Sequence, residues 1–255
     1  QLLASSLTRH TAVRSKTNAI SSEWRGGCSA SVSDQAEMSV VPGMLQDMFL
    51  PASVPELVAF AVALGAGQVG ALAPEELALV RDADSPPTEC EVDWIRNLIR
   101  SGEDPLGDAY CTIRSPQERR PLGQTYTPRS IVKSMVAWAS DRGAPVRVVD
   151  PGAGSGRYLL AAAAEFPAAA LFGSDIDPLA TLMLRANLAV MGLGSRATVR
   201  LGDYRALELP AVDGPTLFLG NPPYVRHHQI APEWKAWLLE TARIRGMKAS
   251  GLAGL

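Results

Sequence analysis

Regular hydrophobic patterning begins at about residue 46 and is missing before it. Residues 1–45 are rich in Ser, Thr and Gly with little periodicity, a composition that predicts disorder. Positions 54–64 are apolar with helical spacing. Pro74-Glu75-Glu76 opens a second helix, with proline near its first turn and acids where the helix dipole favours them. Val92, Ile95, Leu98 and Ile99 fall on one stripe and predict a third helix over 91–100. The cluster Gly102-Glu103-Asp104-Pro105-Leu106-Gly107 reads as a turn. Residues 46–118 are therefore expected to form a small helical region.

Residues 119–255 alternate helix and strand. Thr127-Pro128 reads as an N-cap followed by proline at the first helical position, with Ile131, Val132, Met135, Val136 and Ala139 turned inward. Short apolar runs at 146–149, 170–173, 198–201 and 216–219 predict four strands, which lead into Asp150, Asp175, Asp203 and Asn221. Helices are expected from the glycine loop 152–156 to about Glu165, over 179–191 and over 232–247. Strand–helix units of this length imply an α/β fold, a parallel sheet with helices on both faces.

Composition narrows the classes. The chain has 255 residues, 47% of them hydrophobic, and a net charge of −2. That is a globular composition, and it lacks the basic excess of a stand-alone nucleic-acid-binding domain. Any grip on DNA must then be a local patch. No apolar run approaches the roughly 18 residues of a membrane span. Three cysteines without a CxxC are too few and too scattered for a disulfide framework or a zinc site, which fits a reducing, cytoplasmic setting.

The candidate chemistry lies at the strand ends. Asp150-Pro151-Gly152-Ala153-Gly154-Ser155-Gly156 joins a strand to a helix at the carboxyl edge of the sheet, where open α/β folds bind ligands. Asp175 can accept hydrogen bonds from ribose hydroxyls. Its alternative role, capping the next helix, suits Asp177 better. Asp203 can accept from the exocyclic amine of an adenine on which Tyr204 stacks. Three acids along one edge suit an adenosine ligand with a cationic centre.

Asn221-Pro222-Pro223-Tyr224 follows the fourth strand. A conjugated NH2 is a poor nucleophile because its lone pair is delocalised. Accepting both of its N–H groups draws the nitrogen toward tetrahedral geometry, and the Asn221 side-chain oxygen and the Pro222 carbonyl can be those acceptors. The prolines stiffen the loop. Tyr224 offers a flat face, and base–aromatic stacking contributes about 1–3 kcal/mol. The bland reading, an Asn-Pro turn closing a strand, loses weight behind a glycine loop and two strand-end acids.

In this order the motifs resemble the class I methyltransferases, and most closely the gamma-class adenine-N6 DNA methylases of restriction–modification and phage-defence systems. The resemblance runs from about Gly102 to Gln229 and includes Tyr126-Thr127-Pro128 and the flank Val225-Arg226. It implies a partial Rossmann-like sheet, S-adenosyl-L-methionine as cofactor and no metal. It places Tyr126, Thr127, Asp150, Gly152 and Gly154 at the methionine end of the cofactor, Asp175 at the ribose, Asp203 and Tyr204 at the adenine, and Ile176 among the cofactor-binding residues. Asn221, Pro222, Pro223 and Tyr224 would receive an adenine flipped out of double-stranded DNA. Arg226, His227 and His228 are candidates for the DNA backbone. Tyr224 lies near the end of the sequence, so the later strands and the target-recognition domain of the family do not fit, and the chain is expected to be a C-terminally truncated piece. A nuclease or specificity domain or subunit is an expected partner.

Four rival readings remain. Release-factor glutamine methylases use the same Asn-Pro-Pro-Tyr, and RNA base methylases are also possible. A nicotinamide dehydrogenase has no use for that motif, and Gly-x-Gly-x-Gly departs from its glycine spacing. An inactive remnant acting as an interaction module would bind cofactor weakly or not at all.

Overall fold

Four short strands, β1 (Arg147–Asp150), β2 (Ala170–Asp175), β3 (Ala197–Leu201) and β4 (Thr216–Phe218), form one parallel sheet in the order β3-β2-β1-β4. Val149 pairs with Phe172 on one side and Phe218 on the other, so all four strands end on the same edge. The structure is a computed structural model and describes residues 50–119, 124–222 and 230–249. The expected disorder of residues 1–45 lies outside the described residues, as do Pro223, Tyr224, Arg226, His227 and His228.

Helices α1 (Val54–Ala63), α2 (Pro74–Arg81), α3 (Glu89–Arg100), α4 (Pro105–Ile113) and the single turn α5 (Pro116–Arg119) precede the sheet. Helix α6 (Arg129–Ser140) leads into β1, α7 (Arg157–Glu165) joins β1 to β2, α8 (Pro178–Val190) joins β2 to β3, and α9 (Pro232–Ile244) follows β4. Local chemistry accounts for several starts. Ser53 Oγ accepts the Glu56 N–H at 3.2 Å to cap α1. Thr88 and Glu91 form a capping box on α3. Asp177 Oδ1 accepts the Leu179 N–H at 2.9 Å to open α8, as its position predicts.

Helix α8 is apolar on every side and is correspondingly buried from Leu179 to Leu188. One face, with Leu182, Met183 and Ala186, packs on Leu57, Ile95, Leu106 and Tyr110 of the preceding helices. Leu184 and Leu188 pack with Val148, Leu159 and Leu171 of the sheet layer. Of its three buried polar residues, Thr181 donates to the Pro178 carbonyl at 3.0 Å and the other two have partners in other elements. Arg185 makes a forked ion pair with the buried Glu76 of α2, Nε–Oε1 2.8 Å and Nη2–Oε2 3.2 Å. Asn187 Nδ2 donates to the Ser155 carbonyl at 2.8 Å, tying α8 to the glycine loop.

Three local expectations change. The cluster at 102–107 is not simply a turn: Asp104 caps α4, and Pro105 is its first residue. Thr127 is not the cap of α6. That position is Pro128, and Thr127 is buried with its hydroxyl directed elsewhere. Ile131, expected inward, is 49% exposed, whereas Val132, Val136 and Ala139 are buried. Cys90 is disulfide-bonded and Cys111 is free. Among the described residues no helix is long and apolar enough to cross a membrane.

Candidate cofactor and target site

The chain runs outward from β1 through β2 to β3 and then returns to place β4 on the other side of β1. Such a reversal opens a crevice at the carboxyl ends of the two strands flanking it. Asp150 ends β1 and Asn221 follows β4, so the acid and the amide face this crevice from adjacent strands.

Asp150 is fully buried. Its Oδ1 accepts the Gly152 N–H at 3.3 Å, and its Oδ2 is buried without a partner among the described residues. Burial pushes its pKa up to about 7, the Gly152 N–H opposes that, and the Asp175 charge adds to it. A buried carboxylate with an unpaired oxygen is costly until a donor reaches it. Gly220 makes the close approach possible, because a Cβ there would lie 2.3 Å from Asp150 Oδ1. No motif reading singled out this glycine, although it directly precedes Asn221.

The glycine loop is anchored from both sides. Gly154, at φ +54°, donates its N–H to Asp175 Oδ2 at 2.9 Å. Asp175 Oδ1 accepts the Asp177 N–H at 3.0 Å. Burial raises the Asp175 pKa, and the N–H groups of Asp177, Gly154 and Ile176 pull it back. Each oxygen keeps further acceptor capacity. Ile176 beside it is 47% exposed, an apolar surface at the strand end.

On the other flank, Asp104 is the residue that motif reading missed. Its Oδ2 accepts from Ser155 Oγ and from Arg157 Nε, both at 2.6 Å. Arg157 also donates to the Thr127 carbonyl at 3.1 Å and to Asp108 Oδ1 at 2.6 Å. Asp177 Oδ2 accepts from Gln124 Nε2 at 3.0 Å and lies 2.7 Å from the Tyr110 hydroxyl. The segment before α6 is therefore clamped at both ends, through Gln124 to the start of α8 and through Thr127 to the start of α7.

That clamp brings Tyr126 and Thr127 into the crevice. The Tyr126 ring lies 3.8 Å from where a Gly154 Cβ would stand, and its hydroxyl is buried without a partner among the described residues. Thr127 Oγ1 accepts from Asn221 Nδ2 at 3.2 Å. With its NH2 turned to Thr127, the Asn221 carbonyl oxygen is the end left to accept from a target. Pro222 is exposed, and its neighbours Pro223 and Tyr224 lie outside the described residues.

Asp203 is placed differently from the other two acids. It caps the short turn Tyr204–Ala206, and its carboxylate is engaged by the Arg205 backbone N–H at 2.9 Å and by the Arg205 guanidinium. The Arg205 side chain holds the Asp203 carboxyl below its ordinary range. The same guanidinium stacks 3.5 Å over the ring of Trp234 on α9. Tyr204 is half-buried beside it. Asp150, Asp175, Gly152, Gly154, Tyr126, Thr127 and Asn221 thus converge on one crevice, whereas Asp203 is tied to Arg205 at its margin.

A parallel sheet with a glycine loop after its first strand and an Asn-Pro pair after its fourth, meeting at the reversal point, defines a Rossmann-like methyltransferase fold. The family model described as N-6 DNA Methylase matches residues 101–245. This is more than half of the chain, and the chain belongs to that family. It is 46% identical over 208 residues to the Type II methyltransferase M.XamI of Xanthomonas campestris pv. amaranthicola, which covers 78% of this chain and 38% of that protein. A release factor glutamine methyltransferase of Cereibacter sphaeroides is 37% identical over 93 residues, 35% of this chain and 32% of its own. Among solved structures, the type I restriction-modification system methyltransferase subunit from Streptococcus thermophilus superposes with a TM-score of 0.39 at 20% identity, over 59% of this chain and 34% of that one. The chain spans less than two-fifths of the length of these relatives.

Proposed function

We propose that this chain is the cofactor-binding and catalytic part of a DNA methyltransferase that transfers a methyl group from S-adenosyl-L-methionine to N6 of adenine in double-stranded DNA. The observation that carries the reading is the Asn221–Thr127 hydrogen bond, which orients the amide so that its carbonyl oxygen is left for a target N–H. Membership of the N-6 DNA methylase family and the likeness to M.XamI support the same chemistry.

The residues present fit the cofactor. The Asp150 Oδ2 and the Tyr126 hydroxyl are buried polar atoms at the glycine loop with no partner among the described residues. Asp150 would take the ammonium of the methionine end, with Gly152, Gly154, Tyr126 and Thr127 around it. Asp175 and Ile176 would hold the ribose. Tyr204 and Asp203 would meet the adenine once Arg205 yields. When bound, the cofactor supplies an electrophilic methyl group on a sulfonium.

Adenine N6 is reached by flipping the base out of the duplex, which costs a few kcal/mol. The Asn221 side-chain oxygen and the Pro222 carbonyl accept its two N–H groups, concentrating the lone pair on nitrogen. Pro223 and Tyr224 complete the motif, Tyr224 by stacking. The proton lost from N6 leaves to solvent, since amine nitrogen becomes a strong acid once alkylated. A restriction–modification setting, a nuclease or specificity partner and a cytoplasmic location belong to the same proposal.

Calorimetric titration with S-adenosylhomocysteine and, in parallel, NAD tests the cofactor assignment. Binding of S-adenosylhomocysteine alone, lost in Asp175→Ala, is the predicted result. Binding of NAD alone would refute it.

A further inference from the structure

Arg157 stands at the first position of α7, immediately after the glycine loop, where a helix gains nothing from a cation. Its location is explained instead by what its guanidinium joins. Nε meets the buried Asp104 at 2.6 Å, Nη2 meets Asp108 at 2.6 Å, and Nη1 donates to the Thr127 carbonyl at 3.1 Å. The same group lies 5.1 Å over the Tyr126 ring. Asp104 is itself fixed by the Gly107 N–H at 3.0 Å and by Ser155 Oγ at 2.6 Å. Thr127 in turn receives Asn221 Nδ2.

We propose that Arg157 is a positioning residue for the methyl transfer. Anchored on Asp104 and Asp108, it fixes the Thr127 backbone, and Thr127 fixes the Asn221 amide in the orientation that accepts from the target amino group. The chain of contacts is continuous from α4 through α7 to the loop after β4. The Arg157 guanidinium itself touches neither cofactor nor base, so its effect is on geometry. A lysine cannot replace it, because a single ammonium on a flexible stem does not bridge two carboxylates and a carbonyl at once. The inference rests on the adenine-methyltransferase reading of the site.

The test compares Arg157→Lys, Arg157→Met, Thr127→Val and the Arg157→Met/Thr127→Val double variant in the complete enzyme. For each, kcat and KM on duplex DNA, S-adenosylhomocysteine affinity and melting temperature are measured. Displacement of a catalytic group by about 1 Å lowers turnover roughly 100-fold, so kcat is expected to fall roughly 10- to 100-fold in each single variant. S-adenosylhomocysteine affinity should stay at the wild-type level in the two Arg157 single variants. The double variant should lose no more than the worse single one, because both substitutions cut the same chain. Arg157→Lys keeps a charge on Asp104 and decides the matter if Arg157→Met fails to fold. Wild-type kcat in a folded Arg157→Lys protein, or losses that multiply in the double variant, would overturn the proposal. Absence of DNA methylation by the wild-type enzyme is a different result, and it would remove the functional reading itself.

Discussion

Asn221 and Thr127, on loops almost a hundred positions apart, are joined by a hydrogen bond of 3.2 Å from the amide nitrogen to the threonine hydroxyl. An asparagine alone has two orientations that differ only in which end faces the target. Here the NH2 end is turned to the Thr127 hydroxyl, which leaves the carbonyl oxygen for the target. The bond links the segment before α6 to the loop after β4.

Replacing Asn221 by Ala removes an acceptor that acts as charge develops on the target nitrogen. Loss of one preorganised polar contact of this kind lowers turnover roughly 100- to 1,000-fold. Single-turnover assays should show that loss with S-adenosylhomocysteine affinity unchanged. Equal losses in both would place Asn221 in cofactor binding instead.

Asp150 predicts a pH dependence. Its pKa is about 7 in the folded chain against an ordinary 3.8. The folded form therefore holds its proton where the unfolded form does not, and stability falls as pH rises from about 4 to about 7. The difference in pKa corresponds to about 4 kcal/mol as an upper bound for a cofactor-free chain at pH 8. Asp150→Asn should remove this slope, so that its stability relative to wild type is greater at pH 8 than at pH 5 in urea unfolding. S-adenosylhomocysteine binding should run the other way in wild type, weakening below pH 7 as the carboxylate protonates. Parallel pH profiles for wild type and variant would contradict both statements.

The Glu76–Arg185 pair joins α2 to α8 in an environment without water. Removing one partner leaves the other charge buried, a change that costs about 3–5 kcal/mol. Glu76→Ala should lower the denaturation midpoint accordingly, and Arg185→Met together with Glu76→Leu should recover much of the loss. A midpoint unchanged in Glu76→Ala would show that the pair is solvated.

Gly220→Ala would set a methyl group 2.3 Å from Asp150 Oδ1. Overpacking of this kind costs about 1–3 kcal/mol. Because the displaced atom belongs to Asp150, S-adenosylhomocysteine affinity should fall as well, read by calorimetry beside a melting curve. Unaltered affinity would separate Gly220 from the cofactor site.

The strands were legible because short apolar runs ending in Asp or Asn punctuate residues 146–221 with no competing helical period. The glycine loop and the Asn-Pro pair were legible because each is contiguous. Helix α4 was not, since Pro105 and Gly107 read as breakers. Yet Asp104-Pro105 is a cap followed by proline, the signature accepted at Thr127-Pro128, where the structure places the cap one residue later. The roles of Asp104 and Arg157 were hidden for another reason: their contact spans 53 positions and exists only after α4 docks beside the glycine loop. The Arg205–Trp234 stack is concealed in the same way, and neither residue belongs to a motif.

The most direct test of the central claim is to incubate the complete enzyme with methyl-labelled S-adenosylmethionine and duplex DNA, then identify the labelled nucleoside. N6-methyldeoxyadenosine as the labelled product, absent from the Asn221→Ala reaction, is the result predicted. Label on cytosine, on RNA or on a glutamine side chain, with none on DNA adenine, would contradict it.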